Sequence, residues 1–123
     1  MQFVKNLPTY LLALVYLVFG ANYFLHFIPM PPTDGNAGAF TGLLYSTGFL
    51  AFVKVLEVLL GALLLLPATR KLALVLIAPI SVNILLFELF IAHQPGIGIL
   101  LVLLNGFAIY QYRRNYMPIV AAA

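Results

Sequence analysis

The sequence predicts an all-α integral membrane protein, with four transmembrane helices in an up-down-up-down bundle that forms one domain over residues 1–123. Three observations carry this reading. Hydrophobic residues make up 64% of the chain and charged ones only 7%, against about a quarter charged in ordinary soluble domains. A soluble domain of this size could not hide so much apolar surface in one core, so lipid must solvate most of it. The apolar residues also fall into four runs separated by prolines, glycines and charges, and the basic residues outside those runs gather on one side of the resulting four-span chain.

The first span is read as 7–27. No Asp, Glu, Lys or Arg lies between Lys5 and Asp34, and about 1.5 Å per residue gives roughly 30 Å of helix, enough for a bilayer core. Asn6 is a plausible N-cap, and Pro8 falls in the first turn, where a missing N–H costs nothing. A signal peptide cut near Gly20 is the rival, but the apolar pattern runs on through Phe24 and Phe27. Residues 28–47 hold Pro29, Pro31, Pro32, Asp34 and several glycines, which break the helix and make a loop. This loop is long enough for a short amphipathic helix that buries Phe40, Leu43 and Leu44. The second span, 48–66, opens at Gly48 and ends at Pro67. The third, 72–91, carries Pro79 as an expected kink. Pro95 and Gly96 make a tight turn into a shorter fourth span, 96–112.

Orientation follows from the basic residues. Lys5, Arg70, Lys71, Arg113 and Arg114 all fall on one side, which the positive-inside rule assigns to the cytoplasm. Both termini are therefore expected there, in a multi-pass cell-membrane protein, with the 28–47 loop and His93 outside. The short connections between spans two and three and between three and four demand antiparallel neighbours. No internal repeat is evident.

Several functions are excluded early. The chain has no cysteine, which removes disulfide chemistry and thiolate metal sites. A net charge of +3 is spread over segment ends rather than along one face, so nucleic acid is not an expected partner. A haem on His26 and His93 would need both rings to turn inward from the membrane boundary. Glu57 and Glu88 lack a Glu-x-x-His companion for a dimetal site, so no metal is expected.

The residues that could carry chemistry are the polar ones inside spans, because an ionisable group at the bilayer centre costs about 2.5 to 3.5 kcal/mol on insertion scales. Lys54 and Glu57 are three apart on one helical face and read as an ion pair, with Gly61 continuing that stripe where a neighbouring backbone can come close. Asn22 and His26 share a face of the first span. Asn83 lies on the third and Asn105 on the fourth. Glu88 has no cation on its own helix, and is expected to be protonated near neutrality, to share a proton with His26 or His93, or to snorkel to the interface. At about 1.5 Å per residue these groups sit roughly 5 to 14 Å below the outer surface. Asn22, His26, Lys54, Glu57, Asn83, Glu88 and Asn105 are thus expected to line an outward-facing polar cavity, closed below by the apolar inner half. Each also has a plainer reading, since a buried Asn is more often an interhelical clasp. Most tyrosines belong to the interfacial aromatic belt; Tyr16 and Tyr23 lie deeper on one face and either line the cavity or pack.

The order of these features resembles the DoxX family of small four-span membrane proteins. The resemblance runs over nearly the whole chain. It begins with Phe19-Gly20-Ala21-Asn22-Tyr23-Phe24-Leu25-His26-Phe27 passing into Ile28-Pro29-Met30-Pro31-Pro32, then Gly48 and Val55-Leu56-Glu57-Val58-Leu59-Leu60-Gly61. It continues with Ala78-Pro79-Ile80-Ser81-Val82-Asn83-Ile84 and Tyr112-Arg113. Two positions depart from the family's pattern, which often has His where Glu88 stands and Glu where Asn105 stands. The resemblance implies a link to respiratory sulfur oxidation or to complexes handling oxidative stress, in which a similar protein is a subunit of a thiosulfate:quinone oxidoreductase.

The leading expectation is therefore a redox-linked accessory subunit whose polar cavity takes a small molecule or a quinone head group, while a partner protein carries the redox centre. The chain has no intrinsic cofactor motif. The rivals are a small-solute or proton transporter using Glu57 and Glu88, and a purely structural membrane subunit.

Overall fold

The computed structural model describes residues 2–27, 34–94 and 96–121. Most of these are helical, with no strand among the described residues: α1 (Gln2–Lys5), α2 (Leu7–Leu25), α3 (Gly35–Ser46), α4 (Phe49–Leu65), α5 (Arg70–Leu86), α6 (Gly98–Gln111) and α7 (Arg113–Ala121). A π-helical turn, Phe87–Ile91, prolongs α5. The expectations for Ile28, Pro29, Met30, Pro31, Pro32 and Pro95 lie outside the described residues.

Two helices are long and apolar enough to cross a membrane, α2 with 19 residues and α5 with its π extension, 22 residues from Arg70 to Ile91. A third candidate is the pair α3 and α4, bent by 82° at their junction. Helix α6 is apolar but has only 14 residues, so the expected fourth span over 96–112 shortens at both ends. The chain then breaks at Tyr112 and continues as α7, a helix that the apolar pattern does not announce.

Local chemistry explains most boundaries. Pro8 sits in the first turn of α2. Asn6 stands at the N-cap but makes no capping bond; its side chain is buried and accepts a hydrogen bond from the Tyr112 hydroxyl. Gly48 joins α3 to α4 at φ +83°, a left-handed conformation that favours glycine. The α-helix runs through Pro79 unbroken, with Asn83 Nδ2 donating to the Pro79 carbonyl at 2.9 Å. The irregularity in this segment comes later, at the π turn. Phe40, Leu43 and Leu44 do not form a buried face: no residue of α3 is buried, and Leu43 is 62% exposed. The helix lies across the end of α4 and packs chiefly on α4 and the π turn, Phe40 packing on Phe87 with ring centroids 5.4 Å apart.

Helices α2, α4, α5 and α6 pack in a closed ring, each against two of the others. Leu12, Ala13, Tyr16, Leu60, Leu64, Ala73, Leu74, Ile77, Leu101 and Ala108 are its core. Many large apolar side chains point outward instead, Phe52, Leu72 and Leu103 among them, the pattern expected where lipid is the solvent.

Hydrogen bonds bring the start of α2, the end of α4, the start of α5 and the end of α6 to one end of the ring. Asn6 meets Tyr112, and Arg70 reaches both Tyr10 and the Leu64 and Leu65 carbonyls.

Candidate functional site

The interior polar residues separate into three groups. The first is the ion pair. Lys54 Nζ donates to Glu57 Oε1 at 3.2 Å, one turn along α4. Glu57 is buried, whereas the Lys54 side chain is 22% exposed. An ammonium has three donors, and among the described residues the carboxylate is the one acceptor it meets.

Close packing of α2 on α4 sets what surrounds this pair. A Cβ added at Gly20 would lie 2.8 Å from Val58 Cγ2 and 3.4 Å from Glu57 Cβ, and one at Gly61 would lie 3.0 Å from Leu17 Cγ. Both glycines allow the backbones to approach as small residues do in membrane bundles. The register they fix carries Tyr23 and Phe24 to the level of Lys54. Tyr23 packs edge-on to Phe24 at 4.9 Å and faces Tyr45 of α3 at 6.0 Å. Asn22 is buried on the same helix.

The second group is a hydrogen-bonded chain through the core. Tyr16 Oη and Ser81 Oγ are 2.6 Å apart, Ser81 Oγ donates to Asn105 Oδ1 at 3.0 Å, and Asn105 Nδ2 donates to the Leu74 carbonyl at 3.1 Å. All three side chains are buried. The chain clasps α2, α5 and α6. Ser81 and Asn105 also touch a pocket of about 110 Å³ between α5 and α6, whose other walls are Ala78, Val82, Val102, Gly106 and Ile109. Its lining is almost wholly apolar.

The third group is Glu88. Its Oε1 accepts backbone N–H bonds from Gly96 at 3.1 Å and Gly98 at 2.9 Å, so the carboxyl group closes the turn into α6. The N-terminus of a helix presents unpaired N–H donors and partial positive charge, which supplies the cation surrogate that the sequence lacked. His26 and His93 are both exposed, each in a left-handed backbone conformation, φ 54° and φ 56°.

The seven residues expected to line one cavity are thus not brought together. Lys54, Glu57, Asn22 and Asn105 are interior or seam residues; Asn83 is exposed and bonds its own helix; His26 is exposed at the end of α2. On the third span the inward polar residue is Ser81 rather than Asn83. Two residues along a helix turn the side chain by roughly 200°, and the burial of Tyr16 and Asn105 decides which face looks in. Among the described residues no group of three His, Asp or Glu side chains comes together to hold a metal.

Sequence reasoning used Arg70 only for its charge and missed its structural role. Arg70, only 6% exposed, donates from Nε to the Leu64 carbonyl at 2.9 Å and from Nη2 to Leu65 at 3.1 Å and to Tyr10 Oη at 3.3 Å. Its guanidinium caps the end of α4, where the unpaired carbonyls are.

No family model, curated protein or solved structure matches the chain.

Proposed function

We propose that the chain is a four-span membrane subunit with both termini in the cytoplasm, which holds the polar head of a small membrane-soluble molecule, a quinone fitting best, while a partner protein carries the redox centre. The observation that carries this reading is Lys54. It is a partly exposed ammonium inside an apolar segment, bonded to a buried carboxylate and, by the register set at Gly20 and Gly61, at the height of Tyr23 and Phe24. A quinone carbonyl would accept an N–H of Lys54, its ring would lie against the aromatic side chains, and its tail would stay in lipid. Glu57 holds the ammonium in place from the buried side. The resemblance to the DoxX family supports the redox link.

Transport fits less well. Between the polar groups and the basic end of the ring the interior is packed with Leu12, Ala13, Leu64, Leu74, Ile77 and Ala108, which offer an ion or polar solute little path. The structural-subunit reading is favoured by one feature, the satisfied Tyr16–Ser81–Asn105 chain, which acts as a clasp whatever binds at Lys54.

Photolabelling of the reconstituted protein with an azido short-chain ubiquinone, followed by peptide mapping, tests the proposal. Label is expected on α4 near Lys54 or on the Tyr23–Phe24 segment, largely lost in Lys54→Met and kept in Lys54→Arg. Equal labelling of wild type and Lys54→Met would leave the structural subunit as the better reading.

A further inference from the structure

We infer that the end of the ring around Tyr112 is a binding site for the phosphate of an anionic phospholipid. Three separate segments bring cations to this place. Lys5 of α1 and Lys71 of α5 both lie against the Tyr112 ring, with Nζ 5.4 and 5.5 Å from its centroid. Arg113 and Arg114 follow immediately in sequence, both exposed, the former stacked on Tyr110 at 4.2 Å.

The arrangement is held rather than incidental. The Tyr112 hydroxyl donates to Asn6, which is buried, and the Tyr116 hydroxyl donates to the Lys71 carbonyl at 2.7 Å. These bonds tie α7 and the end of α6 to the segments that carry the two lysines.

Among the described residues no acidic side chain answers these charges. The chain has three acidic residues: Glu57 is paired with Lys54, Glu88 closes the turn into α6, and Asp34 opens α3, which joins α4 at the opposite end. Two ammoniums held against one ring repel each other, and a phosphate that accepts from either of them relieves the repulsion. The apolar residues beside the lysines indicate that the phosphate belongs to a lipid rather than to a soluble anion. Val4 precedes Lys5 and is 62% exposed, Leu72 follows Lys71 and is 62% exposed, and Met117 of α7 is 61% exposed. Acyl chains would cover these side chains while the lysines hold the head group, the usual division of an amphiphile at a membrane boundary. The inference is independent of what binds at Lys54.

The test uses the whole chain in neutral maltoside micelles, with thermal unfolding and native mass spectrometry read in parallel. Phosphatidylglycerol, phosphatidylcholine and inorganic phosphate are titrated separately into the wild type and into Lys5→Gln/Lys71→Gln. Both lysines are exposed, so the variant should fold. Phosphatidylglycerol should raise the wild-type Tm and give a retained one-lipid adduct, with apparent affinity about tenfold or more weaker in the variant. If the variant is less stable without lipid, the adduct ratio at equal lipid concentration still reads binding directly. Equal adducts in both proteins, an equal response to phosphatidylcholine, or full protection by inorganic phosphate alone would each overturn the lipid site.

Discussion

Arg70 is a charged side chain almost wholly removed from solvent, with no carboxylate beside it among the described residues. Its stabilisation comes from carbonyls: the end of α4 carries the partial negative charge of the helix, and the planar guanidinium reaches Leu64 and Leu65 while its face rests on Tyr10, 5.2 Å from the ring centroid. Arg70→Met leaves these acceptors buried and unpaired, and should cost about 2–4 kcal/mol in unfolding free energy measured in detergent. Arg70→Lys should recover only part of it, because an ammonium cannot span acceptors a planar fork reaches together. A second residue-scale effect depends on pH. Burial, and secondarily the nearby Tyr112, raise the Tyr116 hydroxyl above its ordinary value of 10.0. A raised folded-state value means that the neutral phenol, which donates to Lys71, is favoured by folding. The stability it contributes is therefore complete below about pH 10 and lost as pH rises through the higher folded-state value. The wild type should lose its stability advantage over Tyr116→Phe above that pH in matched thermal scans.

At the scale of the element, the helices meet where side chains are missing. Gly61 was legible in the sequence as a point of close approach because it continues the Lys54–Glu57 stripe, and Leu17 does pack against it. Gly98 was not legible, since its role depends on the turn that folds α6 back on α5. A Cβ there would fall 2.8 Å from Leu85 Cα and 2.6 Å from Glu88 Oε1. Backbone cannot yield as a flexible side chain can, so Gly98→Ala should push α6 from α5 and cost about 1–3 kcal/mol. Gly106, on the same helix, has open space at the same distance. Gly106→Ala should be neutral or stabilising by up to about 1 kcal/mol, as Ala replaces Gly within a helix. Unfolding of the two variants side by side in detergent checks the contrast; equal gains would mean that intrinsic helix propensity, not the α5–α6 approach, governs this segment.

For the whole molecule, composition and the runs of apolar residues made the helical class and the approximate ends of α2, α4 and α5 readable, because both follow from local hydropathy and from Pro and Gly positions. What was not readable depended on tertiary placement. The inward face of α5 is set by Tyr16 and Asn105 and selects Ser81 over Asn83; Glu88 is satisfied by a turn ten residues ahead of it. Sidedness is a further whole-molecule property, and it rests on charge. Lys5, Lys71 and Arg113 collect at one end on tyrosine rings, while Asp34 belongs to α3 at the end where α4 begins. In the proposed four-span arrangement the positive-inside rule, applied to these residues, predicts that α3 faces outward. The chain lacks cysteine, so single cysteines report sidedness without background. Asp34 and Ala68 are both exposed, and Ala68 lies in the turn between α4 and α5 beside the capping Arg70 without taking part in it. In intact cells or right-side-out vesicles, Asp34→Cys should react with an impermeant maleimide added outside, and Ala68→Cys should react only after the membrane is opened. The reverse order would invert the topology and move the Tyr112 cation cluster to the outer leaflet. Because the lipid titration in micelles does not depend on sidedness, that result would correct the orientation while leaving the phosphate site to stand or fall on its own measurement.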